Sequence, residues 1–493
     1  MENIAHKTKS SLIWSTALRI GYQIIRFAVS IIIARLLEPK DFGIMGIATM
    51  IVFYANTITN FGFNNALIQK KDINDEHVNS VFTIDVIVSI ILFAVTILLS
   101  HRIAVFFHIP ELEEVLWAVS PIFIITSFFQ MPMTLMKRHV NFKITSITEF
   151  LQGIIQSFLT LALAFWGFKY WSLVIGLVVS YTVSTLFILL VVKWKPKIKY
   201  SNIAVKSIFN FGMYNLLRAQ LFYINSFADK FIIGKFLGPT FLGFYEKAYS
   251  TAEIQRNCIG MPINAVMFSS FSRIQSVKDD QIKKYFKKAL SIILLISIPF
   301  NVVLFLLGAH FVSVLLGSKW ELMIRSLKIF SVAFVFVPVN GLLASLNIGI
   351  GNYKRQTINE CICSVFLIIV CLLIVQNGIE YVAFGFLFAS FLQFILAIRL
   401  AKESLKLRGK DVLESLRPAI LGSVFMAIMI ILSEKWFFYK INAVNFILLL
   451  AIGCFSYILA ILSPNYRILE DFRKPIIDNI CFLINKIYAF FYK

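Results

Sequence analysis

Four arginines within apolar stretches of this chain carry the side chains best suited to bind an anion. Arg19 and Arg26 lie seven residues apart in the first apolar stretch, so in a helix they share one face. Arg218 and Arg256 lie in two later stretches. A guanidinium binds phosphate or diphosphate through paired hydrogen bonds, and charged groups at membrane depth tend to mark a pathway. The four arginines are therefore predicted to bind a phosphate-bearing group in a cationic cavity.

Four carboxylates in similar stretches are candidates for cavity groups or for coupling to a proton or sodium gradient. Asp85 and Glu149 are predicted to lie near the inner membrane surface, where solvation is at least as strong an alternative as coupling. Asp229 and Glu253 each lie within three residues of a cation, so structural ion pairs are the alternative for them. No resident cofactor or metal is predicted, because the cysteines and histidines do not cluster as ligands do.

The composition indicates a polytopic membrane protein that would hold these groups inside a bilayer. Hydrophobic residues make up 59% of the 493 residues and charged residues 15%, whereas soluble proteins carry about 25% charged residues. A formal net charge of +21 would suggest a nucleic-acid partner for a soluble protein. Here the cations fall mostly in short loops between apolar runs, which is the pattern that orients membrane proteins. No nucleic-acid partner is therefore predicted.

Apolar runs of about 20 residues predict an all-α polytopic fold with about fourteen transmembrane helices. When the N-terminus is placed inside, the inner loops hold about 31 Lys and Arg residues and the outer loops about 8. Cytoplasmic loops carry the excess of cations, so both termini are predicted to face the cytoplasm. The predicted spans are 12–34, 42–66, 81–100, 115–136, 147–168, 171–192, 208–234, 241–270, 286–307, 322–346, 357–377, 381–400, 416–434 and 443–463.

A repeat about 200 residues apart divides the chain into two similar halves. Ile, Ile, a small residue, a cation, Leu, Pro and Gly recur in one order and spacing in residues 32–43 and 232–243. Proteins built this way usually rock one half against the other around a central site, which predicts transport. The predicted parts are an N-terminal six-helix lobe at 1–192, a basic cytoplasmic linker at 193–206, a C-terminal six-helix lobe at 207–401, two further helices at 402–465 and an amphipathic cytoplasmic tail at 466–493.

Motifs typical of enzymes are absent from the sequence. It has no GxxxxGK[ST], GxSxG or HExxH, so neither ATP hydrolysis nor hydrolase chemistry is predicted. A membrane glycosyltransferase or polymerase would need a sizeable catalytic loop or an acidic outer loop. The outer glutamates Glu111, Glu113 and Glu114 include no DxD-like pair. The chain is therefore predicted not to be an enzyme.

Residues 34–43 (ARLLEPKDFG) resemble the motif that ends the first helix in polysaccharide exporters of the multidrug/oligosaccharidyl-lipid/polysaccharide (MOP) superfamily. Residues 66–71 (ALIQKK) and 231–238 (FIIGKFLG) are similar to this family as well. The resemblance extends from about Lys9 to about Ser463 and is to the Wzx-like group, in particular the colanic-acid and teichuronic-acid exporters.

This resemblance implies a flippase of the bacterial inner (plasma) membrane that works by alternating access. Its substrate would be an undecaprenyl-diphosphate-linked oligosaccharide, moved to the outer leaflet for capsule, O-antigen or exopolysaccharide synthesis. A polysaccharide polymerase and chain-length proteins would be its partners. By helix position, the cavity arginines of such flippases correspond to Arg19, Arg26 and Arg218.

The alternative function is a cation-coupled antiporter for small molecules or drugs, from the multidrug branch of the same superfamily. Extruders of cationic drugs need buried carboxylates. The first and seventh predicted spans of this chain instead contain more Arg and Lys than Asp and Glu. The flippase is therefore the favoured prediction.

Overall fold

The structure is a computed structural model, and every regular element that it describes is a helix. The predicted tail at 466–493 and residues 1–20, which include Arg19, lie outside the described residues. The described residues are 21–59, 63–70, 72–139, 141–273, 279–405, 409–438 and 440–462.

Helices follow one another through short connections. The earlier helices are α1 (21–36), α2 (Pro39–Thr59), α3 (Phe63–Gln69), α4 (Asp75–Phe107), α5 (Glu111–Val119), α6 (Pro121–Arg138), α7 (Phe142–Phe165), α8 (Tyr170–Val192) and α9 (Asn202–Phe236). The later helices are α10 (Pro239–Gln255), α11 (Met261–Arg273), α12 (Asp279–Phe311), α13 (Met323–Gly349), α14 (Tyr353–Ile374), α15 (Ile379–Leu405), α16 (Gly409–Trp436) and α17 (Ala443–Leu462).

Local sequence signals explain where several helices begin. Pro39 and Pro239 are the first residues of α2 and α10, where the missing N–H of proline is not needed. Gly238 has a φ of +86°, a conformation that glycine adopts without strain, and it turns the chain from α9 into α10. The side chain of Asn74 caps α4, and the side chain of Ser201 caps α9.

Within the described residues, 11 helices are long and apolar enough to cross a bilayer. The structure also has helices at the three other predicted spans: α1, α9, and α10 together with α11. Charged residues interrupt the apolar character of α9 and α10, among them Lys230 and Lys247. The all-helical membrane fold is therefore confirmed, and fourteen spans stay a prediction.

Two predicted spans differ in local structure from single regular helices. The span 115–136 falls on α5 and α6, which are separated at Ser120, with Pro121 as the first residue of α6. The span 241–270 contains a π-helical turn at Arg256–Gly260 between α10 and α11. Such wide turns often occur at functional sites, because they change the direction of the side chains that follow.

Clustering of contacts divides the chain into two compact units. The first unit comprises the described residues up to Cys258, together with Leu315–Phe330 and Thr357–Gln393. In it α2 packs against α10 and α7 against α8, and the ring of Phe82 lies edge-on against Phe128 and Trp194.

The second unit comprises the described residues of Ile259–Val314, Ser331–Gln356 and those from Phe394 onward. Its described helices α12, α16 and α17 pack side by side. Buried side chains such as Phe271, Phe286 and Leu342 form its core.

Candidate functional site

The two copies of the repeat meet where α2 and α10 cross. A Cβ atom on Gly43 would lie 1.7 Å from the carbonyl oxygen of Pro239, and one on Gly243 would lie 1.8 Å from the carbonyl oxygen of Pro39. Each copy thus supplies one glycine and one proline carbonyl, in equivalent positions. No real side chain fits at such distances, so only glycine lets the two backbones approach this closely. The repeat therefore builds a reciprocal contact at the N-terminal ends of α2 and α10.

Trp320 packs beside this crossing. Its ring lies edge-on against Phe42 of α2 and Phe244 of α10, with centroid distances of 5.4 and 5.8 Å. Its indole nitrogen donates a hydrogen bond of 2.8 Å to the carbonyl of Ala34 in α1. The side chain is fully buried, so its N–H needs this partner. Trp320 therefore joins the end of α1 to the crossing of α2 and α10.

Lys319 also binds the C-terminal end of α1. Its ammonium donates to the carbonyls of Arg35 and Leu37, while Arg35 Nε donates to the carbonyl of Leu315 at 2.7 Å. The last carbonyls of a helix lack partners within the helix, and a cation there stabilises it by about 0.3–1 kcal/mol. Burial lowers the pKa of the Lys319 ammonium, and two nearby carboxylates oppose that shift. The segment 315–320 is thus tied to α1 at both of its ends.

A buried ion pair between neighbouring residues of α9 contacts two tyrosines of α10. Asp229 is completely buried, and the hydroxyl of Tyr245 donates a hydrogen bond of 2.6 Å to its Oδ2. Lys230 Nζ lies 3.7 Å from Asp229 Oδ1, donates to the carbonyl of Ser226 at 2.7 Å and lies 3.8 Å from the centroid of the Tyr249 ring. Buried charges are tolerated only when they are paired in this way. The hydrogen bond from Tyr245 and the contact of Lys230 with the Tyr249 ring join α9 to α10.

Further charged groups surround this pair. The carboxylates of Glu246 and Glu253 attract the ammonium of Lys230. Arg256 donates a hydrogen bond to Glu253 at a distance of 2.5 Å, with both side chains about four-fifths buried. The cluster therefore holds three carboxylates, with Asp229, and two cations. Arg256 already has a carboxylate partner, as the structural alternative predicts.

Two other cations, Lys247 and Arg26, repel each other electrostatically and have no carboxylate partner among the described residues. Lys247 of α10 is buried, and its ammonium donates to the carbonyl and the hydroxyl of Ser30 in α1, at 2.9 and 2.7 Å. Arg26 of α1 is exposed, and its charge repels that of Lys247. Among the described residues, neither cation forms an ion pair with a carboxylate. Two cations that repel each other and have no counterion among the described residues favour binding of an anion.

The remaining predicted site residues lie elsewhere. Arg19 is outside the described residues, and so is the side chain of Arg218, although its backbone belongs to α9. Asp85 of α4 is completely buried beside Asn64 of α3, whereas Glu149 of α7 is exposed. Among the described residues, Asp229, Glu253 and Arg256 therefore belong to the same charged cluster. They place Asp85 among different helices.

Five residues at this site were not among the predicted site residues. Three of them, Lys230, Glu246 and Lys247, are charged residues within apolar stretches. The same pattern indicated the four arginines, so it could also have indicated these three. Lys319 and Trp320 lie in a connection between helices, and no pattern in the sequence indicates that they bind α1.

Comparisons of the sequence with known proteins agree on one family. The model of the family described as "Polysaccharide biosynthesis protein" matches residues 32–325. A Klebsiella pneumoniae protein described as an uncharacterized membrane protein in the cps region is 26% identical over 94% of this chain and 96% of its own length. Lipopolysaccharide biosynthesis protein WzxC of Escherichia coli is 24% identical over 70% of each chain. The resemblance to polysaccharide exporters is thereby confirmed.

Solved structures of transporters share the fold. The lipid II flippase MurJ in an inward closed conformation matches with a TM-score of 0.72 and 16% identity, over 92% of this chain and 97% of that one. An inward-facing multidrug resistance transporter of the MATE family, from the MOP superfamily, matches with a TM-score of 0.63 and 16% identity, over 79% and 99%. At such identities the likeness shows the fold, while the function has to be argued from the site.

Proposed function

Because the chain belongs to the polysaccharide biosynthesis protein family and has the fold of MOP transporters, we propose that it is a lipid-linked oligosaccharide flippase. It would move undecaprenyl-diphosphate-linked repeat units from the inner to the outer leaflet of the bacterial inner membrane, for a surface polysaccharide. A polysaccharide polymerase would use the units on the outer side.

The observation that carries this proposal is the pair of cations formed by Arg26 and Lys247. Neither has a carboxylate partner among the described residues, and they repel each other. A diphosphate between them would relieve the repulsion and accept hydrogen bonds from both, each worth about 1.5–3 kcal/mol. The cationic drugs of a multidrug antiporter would instead be repelled here. The sugar and the lipid chain would be accommodated elsewhere, in the cavity and in the bilayer.

The crossing of α2 and α10 provides the closure that alternating access requires. With the N-terminus inside, the crossing lies at the outer ends of these helices, in a bundle of about fourteen spans with two six-helix lobes. The contact between Gly43 and Pro239 and its counterpart at Gly243 close the outer side. Release to the outer leaflet would require the two helices to separate at this crossing.

Binding of undecaprenyl diphosphate to the purified protein tests this proposal. Replacing Arg26 with alanine or Lys247 with glutamine is expected to weaken binding about 10- to 150-fold, because each loses one charged contact worth about 1.5–3 kcal/mol. Fluorescence-detected titration with the lipid in detergent micelles measures the affinity. Undecaprenol, which lacks the diphosphate, is expected to bind the wild type, the Arg26 variant and the Lys247 variant equally weakly.

Arg325→Ala is the matched control, since it removes an arginine that pairs with Glu380 and whose own side chain is largely exposed. Exposed pairs contribute little, so its affinity should equal that of the wild type. Unchanged diphosphate affinity in both the Arg26 and the Lys247 variants would contradict the proposed site. Tight binding of a cationic drug by the wild type, without binding of the lipid, would favour the antiporter.

A further inference from the structure

The connection between α8 and α9 alternates lysines with apolar residues. From Lys193 to Tyr200 it reads KWKPKIKY, so every second residue is a lysine. A fifth lysine, Lys206, follows near the start of α9. The sequence has no acidic residue between Glu149 and Asp229. The connection is therefore a continuous block of positive charge that contains apolar side chains.

Hydrogen bonds hold this connection against α4 in an extended conformation. Residues 194–201 run without a turn or a bend between the two helices. The backbone N–H of Lys199 donates to the hydroxyl of Thr83 at 3.1 Å, and the N–H of Ser201 donates to the hydroxyl of Ser80 at 2.9 Å. Alternate side chains of an extended chain point to opposite sides. The lysines of the connection are therefore separated from its apolar residues.

Apolar side chains of the connection are exposed, although it lies outside the predicted spans. Its first apolar residue, Trp194, packs edge-on against Phe82 with a centroid distance of 4.9 Å. Farther along the chain, Ile198 is 77% exposed, Tyr200 is 60% exposed and Ile203, in the first turn of α9, is 85% exposed. Exposed apolar side chains beside lysines are typical of segments that lie in the membrane interface. These three side chains are available to enter the acyl boundary of a bilayer.

The lysines have no counterion within the described part of the chain. All five are exposed, and none of them forms an ion pair with a described carboxylate: Lys193, Lys195, Lys197, Lys199 and Lys206. The predicted orientation puts them on the cytoplasmic side, where anionic lipids give the membrane surface a negative potential. Their charge is therefore complementary to the headgroups of the inner leaflet.

We propose that residues 193–206 form a docking surface for anionic phospholipids of the inner leaflet. Ile198, Tyr200 and Ile203 enter the acyl boundary, and the lysines bind the phosphate groups above it. The hydrogen bonds to α4, a helix long and apolar enough to cross a bilayer, hold the connection at the membrane surface. A soluble acidic protein would satisfy the lysines but would leave the membrane-facing apolar side chains unused. This inference does not depend on the proposed flippase function.

Native mass spectrometry of the full-length protein tests this surface by counting bound lipids. The protein is titrated in detergent with phosphatidylglycerol and with phosphatidylcholine of the same acyl chains. The wild type is expected to prefer phosphatidylglycerol, and Lys195→Gln/Lys197→Gln/Lys199→Gln should lower that affinity about tenfold or more, because each lysine near an anionic lipid contributes to binding. Its affinity for phosphatidylcholine should not change. Arginine at the same three positions should keep the preference, since the charge is retained.

The matched control is Lys283→Gln/Lys284→Gln/Lys288→Gln, which removes three lysines from the start of α12. It should keep the preference for phosphatidylglycerol, and an equal loss in both triple variants would reduce the preference to an effect of net charge and overturn the surface. Unchanged phosphatidylglycerol affinity without Lys195, Lys197 and Lys199 would also overturn it and would leave these lysines to a soluble acidic partner. Neither result would affect the diphosphate-binding proposal.

Discussion

Replacing Gly43 with alanine is expected to hold the outer ends of α2 and α10 apart and to abolish most transport. The new methyl group would lie 1.7 Å from the carbonyl oxygen of Pro239, and backbone on both sides leaves no flexible side chain to move. Overpacking of this kind costs about 1–3 kcal/mol, which shifts the balance between closed and open outer sides about 5- to 150-fold. A cysteine introduced at the buried position Ile47 should then react with a membrane-impermeant maleimide added from outside.

Two comparisons separate loss of closure from loss of folding. Gly46→Ala is the matched control in the same helix, because its Cβ would lie 3.6 Å from Leu242, an ordinary contact. Gly243→Ala should reproduce the effect of Gly43→Ala, and the double variant should be less than additive, since one alanine already opens both contacts. Equal maleimide reactivity in wild type and Gly43→Ala, at normal membrane levels, would exclude the crossing as the outer closure.

Replacing Asp229 with asparagine is expected to destabilise the protein by about 3–5 kcal/mol, because the buried ammonium of Lys230 loses the carboxylate that lies 3.7 Å from it. Asp229 and Lys230 are both almost completely buried, so water cannot replace the lost charge. The thermal unfolding temperature of the purified variant in detergent measures the effect. The double variant Asp229→Asn/Lys230→Met should recover most of the stability, because it removes the unpaired charge.

The matched control for this prediction is Glu380→Gln, which breaks the exposed pair with Arg325 and should change stability by about 0–1 kcal/mol. If the double variant is as unstable as Asp229→Asn, the hydrogen bond from Tyr245 and not the ion pair stabilises this region.

The repeat is visible in the sequence, but the contact between its two copies is not. The order of residue types in 32–43 and 232–243 is visible in the sequence, and so is the helix start at each proline. That Gly43 touches Pro239 requires the three-dimensional packing of α2 on α10, since the residues are far apart in the chain. Glycine at a helix start is common in membrane proteins, so its presence alone does not indicate a close crossing.

The sequence likewise does not show which groups the charged residues contact. An ionisable group in an apolar stretch is visible in the sequence, but its partner is not. Arg256 and Lys247 are similar by this criterion, yet Arg256 is bound to Glu253 whereas Lys247 reaches Ser30 in α1. For Asp85 the sequence favours interfacial solvation at least as much as coupling. In the structure Asp85 is completely buried by residues of other helices, and the sequence alone does not show that burial.

The leaflet in which undecaprenyl-linked repeat units reside tests the central proposal most directly. In a strain lacking this protein, the units should accumulate on the inner leaflet, where an added membrane-impermeant oxidant or glycosidase cannot reach them in intact cells. Wild-type protein should restore their accessibility and the surface glycan, and Arg26→Ala at equal membrane levels should not. Normal surface glycan in the deletion strain, together with increased sensitivity to cationic drugs, would contradict the flippase and identify the multidrug antiporter instead.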